Sequence, residues 1–261
     1  MSGNSNMLDK TVLLQDICKE IKNLESVLLK KNKEDLTLLT QNMIKIQNRI
    51  YSQLESLSWL QRRLLPTTQL PPLRNWACSP DVLLRLHNHI IETKPEVVVE
   101  FGSGASTIAI ADALHQNGTG KLISVEHEET YFHQTLSELQ QNHLQHWVEL
   151  RLGKLEVWSD KHLNSADVLP LWYPASVLAD IENIDLLWID GPPGNTCLYS
   201  RYPAMPALYE HFSDHIEIWV DDTVRQEERD ICESWAAEYE FNLQYYALEK
   251  GLGILSTCSV K

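Results

Sequence analysis

This chain of 261 residues predicts a doubly wound α/β domain, mostly parallel, with an antiparallel C-terminal edge and an N-terminal helical arm. Three observations carry that prediction. Short continuous apolar runs recur at 97–101, 121–125, 147–151, 185–189 and 216–220. Helix-patterned stretches such as 106–116 and 129–144 lie between them. The tail, LQYYALEKGLGILS, reads as two strands turning at Gly251. Strands apolar throughout and separated by helices mean a parallel sheet covered on both faces, and a strand that turns straight back adds an antiparallel edge.

The arm reads differently. Leu14, Ile17, Ile21, Leu24 and Leu28 recur at steps of three and four, which places them on one helical stripe. The polar stretch KKNKED follows at 30–35, and the stripe resumes out of phase at Leu36, Leu39, Met43, Ile46 and Ile50, continuing through Leu57 and Leu60. The offset between Leu28 and Leu36 breaks the heptad, so two helical segments are expected rather than one uninterrupted rod. A narrow apolar stripe with polar flanks needs a partner, and the nearest is a second copy of the same segment. Residues 1–64 are therefore expected to form a homo-oligomer of unspecified order. Packing of the arm on its own α/β domain is the alternative.

Residues 65–80 read as a proline-rich linker, because prolines deny helix and favour extended backbone. Ser79, Pro80 and Asp81 resemble an N-cap, a first-turn proline and an acidic second position, opening a helix to about Thr93. The α/β domain is then expected over 81–261.

Composition narrows the function. No apolar run is long enough to span a bilayer, and MSGNSNMLDK shows no secretory signal. Cys18, Cys78, Cys197, Cys232 and Cys258 are scattered without a C-x-x-C pair, which argues against zinc and suits a reducing cytoplasm. Residues 1–75 carry eleven Lys/Arg against seven Asp/Glu, a balance of +4 that leaves −18 of the net −14 on the remainder. So acidic a domain would repel a phosphate backbone, and no nucleic-acid partner is expected.

The stretch VVVEFGSGAST, residues 97–107, breaks a buried strand into a glycine turn. Ligands of such sheets bind beyond the carboxyl ends of the strands, and Gly102 and Gly104 let backbone approach them closely. A phosphate loop would add a Lys-Ser/Thr pair, and a dinucleotide fingerprint a third glycine at 107, where Thr stands. Glu100 precedes the turn and Glu126 closes the next strand, where it can accept from ribose hydroxyls. A nucleoside bearing a positive charge and no phosphates describes S-adenosylmethionine.

The run at 185–189 leads through Trp188-Ile to Asp190 before Gly-Pro-Pro-Gly, and the next run ends in Trp219-Val-Asp221-Asp222. Adjacent parallel strands ending in aspartate bring the carboxylates over one crevice, where they repel unless a cation sits between them. Oxygen-only donors favour magnesium or a similar hard ion. Asp221 or Asp222 capping the following helix, or Asp190 acting without metal, are the competing readings.

Glu100-Phe-Gly-Ser-Gly-Ala-Ser and Ser124-Val-Glu-His resemble the first two motifs of class I S-adenosylmethionine-dependent methyltransferases, a Rossmann-like family, over roughly 76–258. The resemblance implies that Gly102, Gly104 and Ser106 underlie the methionine part of the cofactor, with Glu100 helping to hold its amino group. It places Glu126 on the ribose, and His127 and the turn at Gly153 beside the adenine. The Asp190/Asp221/Asp222 set is similar to metal-dependent O-methyltransferases, those acting on sugar hydroxyls in particular. The IDGPPG and RYPA stretches resemble a group of bacterial methyltransferases. That likeness implies Asp190 and Asp221 as catalytic, Asp190 also at the methionine end of the cofactor, and all three aspartates as magnesium ligands. Arg201 and Tyr202 are expected at the mouth of the pocket orienting substrate, and His162, Trp172 and Tyr173 in a lid. The expected activity is O-methylation of a sugar, glycan or similar polyol. The alternatives are a metal-independent natural-product methyltransferase, and an assembly module with a non-catalytic cofactor-binding domain.

Overall fold

The computed structural model describes residues 5–163 and 169–257, with side chains from Gln15 onward except Asp16. The side chain of Leu14, Cys258 and residues 164–168 thus lie outside the described residues. The chain forms two compact units, one ending at Tyr51 and the other starting at Ser52.

The first unit is helical. Helix α1 spans Ser5–Arg63 without interruption, so the expected break at 30–35 is absent. KKNKED contains no proline or glycine, and lysine and glutamate are good helix formers. A polar stretch removes the stripe's apolar contacts and leaves the backbone ladder intact. The stripe residues Ile17, Leu24, Leu39, Ile46 and Ile50 are all exposed.

The second unit begins inside the same helix, so the domain border lies at Tyr51/Ser52 and not at residue 64. The physical reason is burial: Leu60 and Leu64 enter the α/β core beside Val82, Leu86 and Leu114. The expected linker is pinned down as well. The backbone N–H of Leu65 donates to Asp112 at 3.0 Å, and Asn142 exchanges two hydrogen bonds with the backbone of Gln69. Asp112 is also bonded to His87 at 3.0 Å, with both groups buried.

Helix α2 (Pro80–Thr93) starts where expected, but the Ser79 hydroxyl donates to Asp81, whose carboxylate accepts from the N–H of Val82. Then follow β1 (Val97–Phe101), α3 (Ala105–Asn117), β2 (Lys121–Glu126), α4 (Glu129–Gln141) and β3 (Val148–Leu152). A short ribbon, β4 (Glu156–Val157) with β5 (Leu171–Trp172), precedes β6 (Ile184–Ile189). Helix α5 (Ala204–Leu208), β7 (Phe212–Asp221), α6 (Gln226–Glu238), β8 (Asn242–Tyr246) and β9 (Leu252–Ser256) complete the chain.

The sheet order is β3-β2-β1-β6-β7-β9-β8. Its first five strands are parallel, and β9 and β8 form the antiparallel edge. Alternation sends Val98, Leu122 and Leu186 to the face covered by α2 and α3, and Val99, Ile123 and Leu187 to the face covered by α5 and α6. The chain leaves β1 in one direction and returns to β6 on its other side. The switch point, and the crevice above it, therefore lies between β1 and β6.

No described helix is long and apolar enough to cross a membrane. The described cysteines are free.

Candidate active site

The glycine turn after β1 meets the turn after β6 at the switch point. A Cβ on Gly191 would fall 2.9 Å from the Cα of Gly102, and one on Gly102 would fall 3.1 Å from the carbonyl carbon of Asp190. Only two bare residues let the ends of β1 and β6 meet so closely. Gly104, at φ +150°, has nothing within 4 Å of where its Cβ would be. Its empty side faces a cleft of about 300 Å³ lined also by Gly102, Ser106, Glu126, His127 and Asp190.

Glu100 does not line this cleft. It is fully buried behind the turn, accepting at 2.6 Å from the hydroxyls of Ser106, Thr107 and Ser124. Burial outweighs those three donors and pushes its carboxyl up to about 7. Its place corrects the expectation of a contact to the methionine amino group: the carboxylate clamps the first turn of α3 to β2. Gly153 also falls outside the lining, packed among Val177, Pro174 and Val125, with its N–H donating to the Glu126 carbonyl.

Glu126 sits at one end of the cleft. Oε1 accepts from the N–H groups of His127 and Glu128 at 2.8 and 2.9 Å, and Oε2 from the N–H and hydroxyl of Ser103 at 2.9 and 3.1 Å. Burial raises this carboxyl, but His127 and the backbone donors outweigh burial and hold it below the ordinary glutamate range. His127 lies over it, with Nδ1 3.0 Å from Oε1. A carboxylate has about four acceptor sites, so a ligand hydroxyl needs one donor to yield. The Ser103 hydroxyl has that freedom, since Thr135 Oγ1 offers it a second partner at 3.0 Å.

Towards the other end Asp190 lines the cleft, and Asp221 and Asp222, which are outside its lining, bring carboxylate oxygens within 4.8 Å of each other and of one of its own. Their strands are adjacent and parallel, with Ile189 opposite Val220. Helix α6 starts only at Gln226 and takes no side-chain cap, so neither Asp221 nor Asp222 is a cap. Arg201 lies inside this cluster rather than at the pocket mouth, 2% exposed. Its guanidinium donates to Asp222 at 2.9 Å, to Asp190 at 3.2 Å, and to the carbonyls of Asp221 and Asp190. Arg225 adds a second cation, 3.1 Å from Asp222. Burial opposes the charge on Arg201, but Asp190 and Asp222 more than offset it and raise its pKa further.

Asp221 has neither cation's hydrogen bond. It is fully buried, and neither carboxylate oxygen has a partner among the described residues. Burial first, then repulsion from Asp222, push its carboxyl up to about 6. Burial and Asp221 push Asp190 well above the ordinary range against the pull of Arg201.

The expected lid is core. Trp172 and Tyr173 are buried and pack on Phe101 at ring separations of 4.7 and 5.0 Å. Tyr202 is buried against Trp235, and His162 lies 3.2 Å from the Tyr199 carbonyl. The strap from Pro71 to Cys78, expected as linker, forms a wall of the cleft, which Tyr131 and Gln134 of α4 also line. Lys250 holds it, donating to the carbonyls of Asn75 at 3.2 Å and Ala77 at 2.9 Å. Pro71-Pro72 was the available signal: a stiff extended pair marks a segment built to lie in one place.

This parallel sheet, with its glycine turn, acid-ended strands and reversed edge, defines a Rossmann-like methyltransferase fold. Residues 99–226 match the family described as Methyltransferase domain. No curated protein matches the chain by sequence. Among solved structures, the O-methyltransferase from Bacillus cereus in complex with SAH is similar at 18% identity and a TM-score of 0.55, over 71% of this chain and 84% of that one. The O-methyltransferase TomG from Streptomyces achromogenes, in complex with SAM, aligns at 17% identity and a TM-score of 0.55, over 81% and 96%. The SAH-bound methyltransferase PaMTH1 from Podospora anserina aligns at 13% and 0.55, over 79% and 87%. Identities this low speak for shared fold. The family match, to a methyltransferase domain, runs across the strands from β1 to β7 that build the cleft.

Proposed function

We propose that the protein is an O-methyltransferase acting on a hydroxyl of a sugar, glycan or similar polyol, assisted by a divalent metal such as magnesium. One observation carries the reading: Asp221 ends its strand beside Asp190 and Asp222 with both buried carboxylate oxygens unpartnered. An orphaned buried carboxylate is costly, and an all-oxygen set missing one cation's worth of hydrogen bonds suits a hard ion. O-methyltransferases among the structural neighbours, TomG in tomaymycin synthesis included, agree with an oxygen acceptor.

In this reading Glu126 and Ser103 hold the ribose, His127 borders the adenine, and Gly102, Gly104 and Ser106 leave room for the methionine end. S-adenosylmethionine supplies the methyl group as a sulfonium. Asp190, Asp221 and Asp222 hold the metal, which lowers the pKa of an acceptor hydroxyl when bound. In the metal-independent alternative, Asp190 is the base that takes up the hydroxyl proton. Arg201 touches no ligand and acts as a positioning residue, keeping three like charges from driving the loops apart.

The test is methyl transfer to candidate glycans, read as a mass shift of one methyl, with magnesium and then with EDTA. Loss in EDTA and recovery with magnesium support the reading. Undiminished transfer in EDTA selects the metal-independent alternative with Asp190 as base.

The exposed stripe of α1 is proposed as a self-association seam, and the chain as cytoplasmic. Deleting residues 1–51, which spares Leu60 and Leu64, is expected to give a monomer that still binds S-adenosylhomocysteine. An unchanged oligomer by light scattering would place the interface on the α/β unit.

A further inference from the structure

A second cavity, of about 440 Å³, adjoins the cofactor cleft; it is lined by Trp76, Gly194, Asn195, Arg225, Gln226 and Glu227. Its volume lies in the range of small-ligand pockets, about 300–1,000 Å³. Trp76 borders both cavities, and Pro193 and Gly194 continue the divide. Arg225, which lines this second cavity, pairs with Asp222 of the acidic cluster at 3.1 Å and with Glu228 at 3.2 Å.

Trp76 is 59% exposed, although the strap that carries it is fixed. Lys250 grips the carbonyls on either side of it, Cys78 is buried, and Asn75 holds φ +58°. A large ring held rigidly in solvent at the rim of a reaction cleft offers apolar contact at little entropic cost. We propose that this second cavity is the acceptor subsite, and that it takes a neutral pyranose ring lying on the indole face of Trp76. The proposal rests on the O-methyltransferase reading and names its substrate class.

The chemistry of the walls selects the ligand. A pyranose presents one face of C–H groups, which suits the negative face of an indole, and a rim of hydroxyls. Asn195, Gln226 and Glu227 line the cavity. The Gln226 amide N–H already donates to Asp230 at 2.8 Å, and one Glu227 oxygen accepts from the N–H of Tyr199 at 3.2 Å. That leaves the Asn195 amide, the Gln226 carbonyl and the second Glu227 oxygen for hydroxyls. A planar diol such as catechol bears hydroxyls on one side only and would desolvate the remaining amides without pairing them. An anionic acceptor is disfavoured as well. Glu227 and Glu228 outnumber Arg225 at the cavity, and the guanidinium is already committed to Asp222 and Glu228.

The test uses the full chain with magnesium and S-adenosylhomocysteine, and saturation-transfer NMR on methyl glycosides of glucose, galactose, mannose and xylose, on glucose 6-phosphate and on catechol. The expected result is transfer to ring C–H protons of at least one methyl glycoside, weaker for the phosphate and for catechol. Trp76→Ala should weaken that binding about tenfold or more, the size of one lost stacking contact, and Trp76→Phe should retain most of it. An unchanged circular dichroism spectrum and melting transition show that both variants are folded, since Trp76 is largely exposed and takes no part in the core. Glycoside binding unchanged in Trp76→Ala, no glycoside binding, or preference for catechol or the phosphate each overturns the proposal. Glycosides that bind through Trp76 but are not methylated with S-adenosylmethionine would sink the O-methylation reading and leave the subsite standing.

Discussion

The two ends of the site treat their carboxylates in opposite ways: Glu126 lines the cofactor cleft, and Asp221 lies fully buried beside Asp190. Glu126 receives four protein hydrogen bonds and is held below the ordinary range, whereas Asp221 receives none and is pushed up to about 6. The first end is complete before a ligand arrives and has only to trade one hydroxyl contact for another. The second holds an unmet electrostatic need in a dry place, where a positive charge or a proton is worth most. Recognition and chemistry thus occupy different ends, and each is legible from how many donors its carboxylate has.

Removing Arg201 should break this contrast most severely. Arg201→Met leaves the buried Asp221, Asp222 and Glu228 and the half-buried Asp190 with Arg225 alone, and breaking a buried ion pair from one side costs about 3–5 kcal/mol. The expected outcome is a large fall in Tm at pH 8 that shrinks towards pH 5, as the carboxyls take up protons. A Tm loss independent of pH would mean that Arg201 contributes by packing alone.

Asp221→Asn should separate activity from stability. Methyl transfer should drop by about a thousandfold, the several kcal/mol that a positioned metal supplies. Yet the variant should melt higher than wild type at pH 8. The carboxyl is raised in the folded state from 3.8 to about 6, so wild type loses stability as pH rises through that window and carries the full cost above it. A variant less stable at pH 8 would show that Asp221 is satisfied by something other than a cation.

Glu100 sharpens the comparison from a third position, with three hydroxyl donors and no cation. Its carboxyl rises from 4.5 to about 7, so wild-type stability should fall between those pH values by about 3 kcal/mol and level off above. Glu100→Gln should lose that slope, so the difference in stability between wild type and variant should change by the same amount across that window. A slope of the same size in the variant would assign the titration elsewhere.

The smallest effect is expected at Glu126. Glu126→Ala should weaken S-adenosylhomocysteine binding about 10- to 100-fold, the loss of one or two charge-assisted hydrogen bonds. Calorimetry reads this directly, and unchanged affinity would remove Glu126 from the cofactor site.

Much of the fold was legible because its signals are contiguous. The five parallel strands, the turn at Gly251 and helix α2 fall where apolar runs, glycine and Ser-Pro-Asp place them. The aspartates ending β6 and β7 meet because adjacent parallel strands of similar length finish together. The errors arose where the outcome depended on what a segment packs against. Polar residues at 30–35 suggested a break, but a helix ends through backbone chemistry and KKNKED has none to end it. Trp172 and Tyr173 looked like a lid in a polar stretch, and Phe101 draws them into the core instead.

By itself the sequence determined the strand and helix periods, the glycine turn, and the acidic strand ends, because each is written in neighbouring residues whose backbone preferences and side-chain alternation are local. Tertiary structure alone decided that Arg201 would be an internal counter-ion, that Ser106, Thr107 and Ser124 would enclose Glu100, and that Pro71–Cys78 would wall the cleft with Trp76 outward. Those contacts join residues far apart in the chain. They form only once the sheet register is set and burial forces each charged or hydroxyl group to find whichever partner the fold brings within reach.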